Sequence, residues 1–97
     1  MPPMSKPRPK FKVVERRLGK EKAWGQCTPA EGLIELDNRL SARRHCEVLL
    51  HEALHLAFPE MSEKQVDRAG KLLRDVIWSQ NYRRVLLQPN AKPPRIS

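Results

Sequence analysis

His51 and His55, four residues apart, with Glu52 directly after the first, are the residues of this 97-residue chain best suited to chemistry. On a helix, positions i and i+4 stack on one face a turn apart. Two imidazoles so placed can bind one tetrahedral metal ion, and the adjacent carboxylate can reach a water held on that ion. The flanks Val48–Leu50 and Leu54, Leu56, Ala57 and Phe58 are apolar, so the segment reads as a buried helix. Two imidazoles and a carboxylate among Leu and Ala need a polar partner there, and a metal with its water supplies one. His45, six residues before His51, lies about 120° around a regular helix and about 9 Å along it, too far to share the ion. Cys46 points to the opposite face.

A catalytic zinc usually takes three protein ligands and leaves one position for water. No histidine follows His55, so the third ligand is expected to be a carboxylate, with Glu60, Glu63, Asp67 and Asp75 as the candidates. Glu63 ranks first, because it lies beside Val66 and Gly70 at the edge of the next helix's apolar face. Gly70 would let the two helices approach closely. The simpler role for Glu63 is an acid favoured by the helix N-terminus. Asp67 ranks second as an alternative ligand, and its simpler role is an i, i+4 pair with Lys71. Glu60 lies in the turn, and Asp75 lies too far along.

Several elements must position these residues. Phe11–Glu15 is β-compatible, and Arg16, Arg17 and Gly19 end it. Ala23–Thr28 reads as a short strand with Trp24 packing inward, Pro29–Gly32 as a turn, and Leu33–Asp37 as the second strand of a hairpin. Ser41 suits an N-cap, and its helix runs to about Ala57 because Pro59 opposes continuation. Ser62-x-x-Gln65 spells a capping box opening a second helix. Its apolar positions Val66, Ala69, Leu73, Val76 and Ile77 follow the helical period to an end near Asn81–Tyr82. The expected fold is α+β, a short antiparallel sheet of two or three strands packed on two helices, the first carrying the two histidines. Residues 1–10 are expected to be a disordered, basic, Pro-rich arm, residues 11–84 the domain, and residues 85–97 a basic, Pro-containing tail.

The net charge of +8 belongs to the ends. Residues 1–22 carry eight Lys/Arg against two Glu, residues 83–97 carry four basic residues and no acid, and residues 23–82 carry seven basic residues against nine acids. That distribution suits basic tails better than a sequence-reading nucleic-acid surface. Apolar runs are too short to span a bilayer, and none opens the chain as a secretion signal would, so the expectation is cytoplasmic. Cys27 and Cys46, far apart, read as reduced core thiols. A core this small would gain from a bound metal.

His51-Glu52-x-x-His55 on a buried helix resembles the HExxH motif of the zincin superfamily of metallopeptidases. The longer pattern HExxHxxGxxH is excluded by Phe58 and Met61. Glu63-x-x-x-Asp67 is similar to the ExxxD signature of the gluzincin branch. That likeness implies that Glu63 binds the metal while Asp67 supports a ligand histidine. The departure is the spacing: only seven residues separate His55 from Glu63, fewer than in the large gluzincins. The stretch from Leu49 to about Arg84, including His-x-x-Phe-Pro-x-x-Ser-Glu-x-x-Val, also resembles small metallopeptidases encoded in phage and prophage genomes. The resemblance implies a minimal zincin-like domain with an edge strand, here Leu33–Asp37, above the metal, where an extended substrate could add. It further implies Zn2+ as cofactor, Glu52 as general base and a protein or peptide as substrate. Tyr82 and His45 are the candidate oxyanion-stabilising groups, the simpler role of each being structural, and Trp24 and Trp78 are most simply core. Two other functions fit the same motif. One is a DNA-associated, SprT-like protease whose basic tails contact phosphate. The other is a non-enzymatic, zinc-stabilised module that binds protein or nucleic acid. Glu52 favours the enzymes, since a structural zinc has no use for a carboxylate beside the ion's water and is more often closed by four protein ligands.

Overall fold

Among the described residues, one strand alone supplies fully buried apolar side chains, and it occupies the middle of the sheet. The computed structural model describes residues 8–19 and 24–85. Its strands are β1 (Lys12–Arg16), β2 (Gly25–Thr28) and β3 (Leu33–Asp37), and its helices are α1 (Ala42–Ala57) and α2 (Glu63–Ser79). Residues 1–7 of the expected arm and 86–97 of the expected tail lie outside the described residues. The architecture is α+β, as expected. The sheet order is β1-β3-β2. β2 and β3 form the expected antiparallel hairpin, with Gly25 opposite Leu36 and Thr28 opposite Leu33. Pro29–Glu31 makes the turn as a single 3-10 stretch, and Gly32 closes it in the left-handed region at φ 62°, where glycine fits without strain.

The sheet is mixed rather than wholly antiparallel, because β1 runs parallel to β3, with Lys12 opposite Leu33 and Arg16 opposite Asp37. Two features of β3 set this order. Ile34 and Leu36 are its buried core positions, so the middle place gives them cover from both neighbours and from α1. On the opposite face Glu35 accepts from Arg16 Nε of β1 at 2.5 Å and from Gln26 Nε2 of β2 at 2.8 Å. The strand exit is fixed by Asp37, which is 1% exposed. It accepts from the Leu18 and Arg39 backbone N–H groups and from the Arg39 guanidinium. These donors, Arg39's side chain foremost, hold its carboxyl well below the usual range.

Helix α1 opens at Ser41, whose Oγ accepts from Arg44 N, and Phe58 ends it before Pro59. Helix α2 opens on the complete Ser62/Gln65 capping box. The sheet packs on α1 through β2 and β3, and α2 packs on α1. The two helices pair antiparallel. Arg43 meets Asp75, Glu47 meets Arg74, and His51 faces Gly70, where an added Cβ would lie 3.5 Å from His51 Cα. The α2 face that results differs from the expected one. Val66 and Gly70 are buried, but Leu73 is 38% and Val76 53% exposed. The missing side chain at 70 and the Arg74–Glu47 ion pair turn the helix toward that edge. Trp24 is likewise 55% exposed rather than core. The β2 positions facing α1 are Gly25 and Cys27; a Cβ on Gly25 would sit 2.5 Å from Val48 Cγ1, which leaves no room on that face for the indole one residue earlier. Cys27 and Cys46 are both free thiols. No helix among the described residues is long and apolar enough to cross a membrane.

Beyond α2, Arg83 lies 3.6 Å over the Trp78 ring, and Arg84 bridges Glu15 of β1 and His45 of α1. Arg84 can only donate, so in its 2.8 Å contact His45 Nε2 accepts, which takes the neutral ring with its proton on Nδ1, while Glu15 Oε1, 3.3 Å from the same nitrogen, favours the protonated ring. Burial, then the Arg84 charge, lowers the His45 pKa below its ordinary value, against the opposing pull of Glu15. An unfolded chain therefore takes up this proton first. The contribution of His45 to stability is complete above about pH 6.5 and falls as pH drops below it. The Glu15 carboxyl, lowered chiefly by Arg84, adds a second loss at more acidic pH. The expected outcome is an NMR titration midpoint for His45 below 6.5, together with a flatter decline of chemical-denaturation stability between about pH 6.5 and 5 in His45→Gln. A midpoint above 6.5 would contradict the neutral, Arg84-capped ring.

Candidate metal centre

Four side chains of α1 and α2 converge where the helices start and end their crossing. His51 and His55 present their Nε2 atoms 3.3 Å apart, with the ring planes inclined at 68°. Glu63, the first residue of α2, spans both: Oε1 is 2.7 Å from His51 Nε2 and Oε2 is 2.9 Å from His55 Nε2. Ser62 caps the helix immediately before it, which fixes where Glu63 leaves the backbone. Among the described residues, His51, His55 and Glu63 are the one group of three or more His, Cys, Asp or Glu side chains whose donor atoms lie close enough to hold a metal ion.

The donor geometry fits such an ion. Zinc–nitrogen bonds of about 2.0–2.1 Å arranged tetrahedrally put neighbouring donors about 3.3–3.4 Å apart, which matches the separation of the two nitrogens. The carboxylate oxygens sit closer because they lie within hydrogen-bond reach of both rings. Both histidines are half-buried and Glu63 is exposed, so the group opens to solvent on one side.

Glu52 is the fourth side chain. It is 7% exposed, and no described residue gives its carboxylate a hydrogen bond or an ion pair. Burial raises its pKa above the ordinary carboxylate value, opposed by the charges of His51 and His55 and assisted by Glu63. Its own charge in turn adds to the burial that raises the Cys27 thiol, so Glu52 faces β2. Asp67 stands outside the three-donor group. Its Oδ1 is 3.9 Å from His51 Nδ1, and its Oδ2 pairs with Lys71 Nζ at 3.0 Å. Asp67 thus acts on His51 as a nearby charge, without a hydrogen bond. Asp75 is engaged with Arg43 and Arg74, far from the histidines, and Glu60 stays in the exposed turn.

The strand over the site is β2, not Leu33–Asp37. β3 is paired on both sides, so it has no free edge, whereas Gly25, Cys27 and Pro29 line one pocket with His51, Glu52, His55 and Glu63. Asp37 N donates to Trp24 O, and an antiparallel ladder alternates. The backbone groups of Trp24, Gln26 and Thr28 therefore turn toward β3, while those of Gly25 and Cys27 turn outward along the edge that no described strand covers. His45 and Tyr82 line a different groove, with Cys46 and Trp78, so neither reaches this pocket as an oxyanion-stabilising group. Sequence reasoning passed over Arg44 and gave Lys71 only as the partner of Asp67; both line the continuation of the pocket beyond His51. The available signal was the spacing of Arg44, seven residues before His51 and so on the same face of α1.

Gly70 controls the approach of Glu63 to the histidines. A Cβ there meets His51 backbone and Cβ atoms at 3.5–3.7 Å, ordinary contact distances. Gly70→Ala is therefore expected to fold normally and to gain up to about 1 kcal/mol from helix propensity. Gly70→Leu must push α2 away and is expected to weaken any metal binding by the three-donor group at least tenfold. Denaturation curves and metal-ion titrations of the two variants check this; equal metal affinity in Gly70→Leu would contradict it. Comparison of the chain with family models, with curated proteins and with solved structures returns no match, so the functional reading rests on the geometry of this group and its pocket.

Proposed function

We propose that this protein is a zinc-dependent peptidase that hydrolyses peptide bonds with Glu52 as general base. The observation that carries the reading is the combination of a three-donor group with a buried, unpartnered carboxylate beside it in one open pocket. A structural site would gain nothing from Glu52, whose carboxylate takes no hydrogen bond from the described residues and lines the same pocket as the three donors.

His51 Nε2, His55 Nε2 and one Glu63 oxygen would hold the ion. With both Nε2 lone pairs committed, each ring carries its proton on Nδ1, and on His51 that N–H faces the Asp67 charge. Zinc supplies Lewis-acid polarisation of a carbonyl and acidification of a water. Glu52 then takes a proton from the attacking water at a carboxylate oxygen and delivers it to the leaving amine nitrogen as the C–N bond breaks. Its burial, which disfavours the charged form, makes the carboxyl a better proton acceptor than an exposed glutamate. The outward N–H and C=O groups of Gly25 and Cys27 can hydrogen-bond an extended substrate as an added strand. The site is bounded by a four-residue strand and two helices, so it suits an unfolded segment or flexible peptide better than a folded surface. The free thiols Cys27 and Cys46 fit a cytoplasmic setting.

The decisive test measures bound zinc, zinc-induced thermal stabilisation, and cleavage of an unfolded protein. Wild type and Glu52→Gln should both bind about one zinc and both gain stability from it. Only the wild type should cleave, with Glu52→Gln at least a hundredfold slower. Glu63→Ala should lose the zinc-induced stabilisation, and Asp67→Ala should keep most of it. Failure of the wild-type protein to take up added zinc sinks the proposal; zinc uptake without cleavage in any variant leaves only a structural metal.

A further inference from the structure

We infer that Arg44 forms a carboxylate-accepting subsite in the same groove, so that the substrates are peptides with a negative charge close to the cleaved bond. This inference rests on the peptidase reading and assigns its substrate class.

The pocket at the metal group does not end at His51. Gly25, His51, Glu52 and Glu63 also line an adjoining depression whose far end is formed by Trp24, Arg44, Glu47, Asp67 and Lys71. Together they make one groove along β2 and α1, with the candidate metal group near its middle. The two ends differ in chemistry. Pro29 and Pro59 line the first and carry no charge. The second has two cations and two acids among its walls.

The acids at that end are already used. Glu47 is clamped by Arg74, and Asp67 holds Lys71 at 3.0 Å. Arg44 is the cation left under-engaged. Its guanidinium lies 3.9 Å from Glu47, beyond hydrogen-bond length, and its side chain is 54% exposed. No other acid among the described residues pairs with it. Five donors in a planar fork are thus available at the groove wall, and a carboxylate is the group that such a fork binds best, through two parallel bonds.

Position sets which substrate carboxylate qualifies. Arg44 and His51 are seven residues apart on one face of α1, about 10 Å along the axis. An extended peptide rises about 3.3 Å per residue. A chain lying along the β2 edge with its scissile carbonyl at the His51, His55 and Glu63 donors would therefore bring its third residue from that bond to Arg44. The carboxylate can come from an Asp or Glu side chain at that place or from a chain terminus ending there.

The test uses full-length, zinc-loaded protein and synthetic peptides with a single Glu moved one position at a time from the cleaved bond. Each peptide is made with Gln in place of Glu, and as free acid and carboxamide. The wild type should prefer Glu to Gln by about tenfold in kcat/KM at about the third position on one side only, and the preference should shrink as salt rises. Arg44→Gln should bring the Glu peptide down to its Gln analogue. A preference that follows the free acid instead identifies the chain terminus as the source. Equal turnover of charged and neutral peptides by the wild type would overturn the subsite and leave the peptidase reading intact. If no peptide is cleaved, calorimetric binding of the same pairs to the Glu52→Gln protein decides: tenfold tighter binding of the charged peptide, lost in the Arg44→Gln double variant, supports the subsite, and equal binding removes it.

Discussion

The contact between Gly70 and the backbone of His51 is the constraint on which the candidate site depends. α1 and α2 are joined by a short turn and run antiparallel, so their relative height is set wherever they touch most closely. That place is Gly70, whose missing side chain lets α2 rest against His51 Cα. From there, Glu63 lies seven residues back along α2 and His55 four residues on along α1, both in the direction of the Pro59 turn. The pairing that starts with Arg43 and Asp75 and passes through Glu47 and Arg74 thus ends with Glu63 over the two imidazoles. A bulkier residue at 70 would separate the helices where the site is assembled and leave their far ends joined. The ion pairs are worth little singly at partly exposed positions. Their use here is to hold rotation and height.

Two buried carboxylates show how differently this small fold treats negative charge. Asp37, at the exit of β3, is surrounded by donors: two backbone N–H groups and a forked guanidinium. Its acidity is increased and its role is to tie the β1 exit to β3. Glu52, also buried but open to the pocket, has no donor from the described residues, and burial weakens its acidity. A fold that satisfies one carboxylate so fully shows that it can supply donors. The bareness of the other, beside three convergent side chains whose donor atoms could hold a metal ion, is the pattern associated with a proton-transfer group.

Local signals made the helical half of the molecule legible. Ser41, Pro59 and the Ser62/Gln65 box are short-range features, and the structure places both helix starts there. The spacing of His51, Glu52 and His55 needs only a regular helix, and the ranking of Glu63 over Asp67 needs only the α2 face near Gly70; the structure brings Glu63, not Asp67, into contact with both rings. The sheet was less legible because its order is non-local. Nothing in Lys12–Arg16 announces a parallel neighbour. That pairing follows from the burial of Ile34 and Leu36 and from Glu35 binding residues on both flanking strands. The error about the edge strand has the same origin, since an edge is defined by what does not pair with it. The rotation of α2, which exposes Leu73 and Val76, depends on Gly70 and Arg74, neither of which counts in an apolar period.

The mixed sheet also explains how the groove stays open. A free strand edge invites pairing with another copy of the chain, and natural proteins discourage this by keeping edges short or interrupted. β2 has four residues, begins at a glycine and ends at the Pro29 turn, so it offers little to a second sheet. Along that same short edge, only Gly25 and Cys27 turn their backbone groups outward, enough to align one extended segment and too few to bind it tightly. On the proposed peptidase reading, binding strength comes from side-chain recognition along α1 and from the candidate metal group. On that reading, a domain of this size selects a substrate through a few strong polar contacts spaced along one helix face. Arg44, two turns from His51, stands where such a contact is needed, and the sheet order that put β2 rather than β3 at the edge is what leaves it facing the groove.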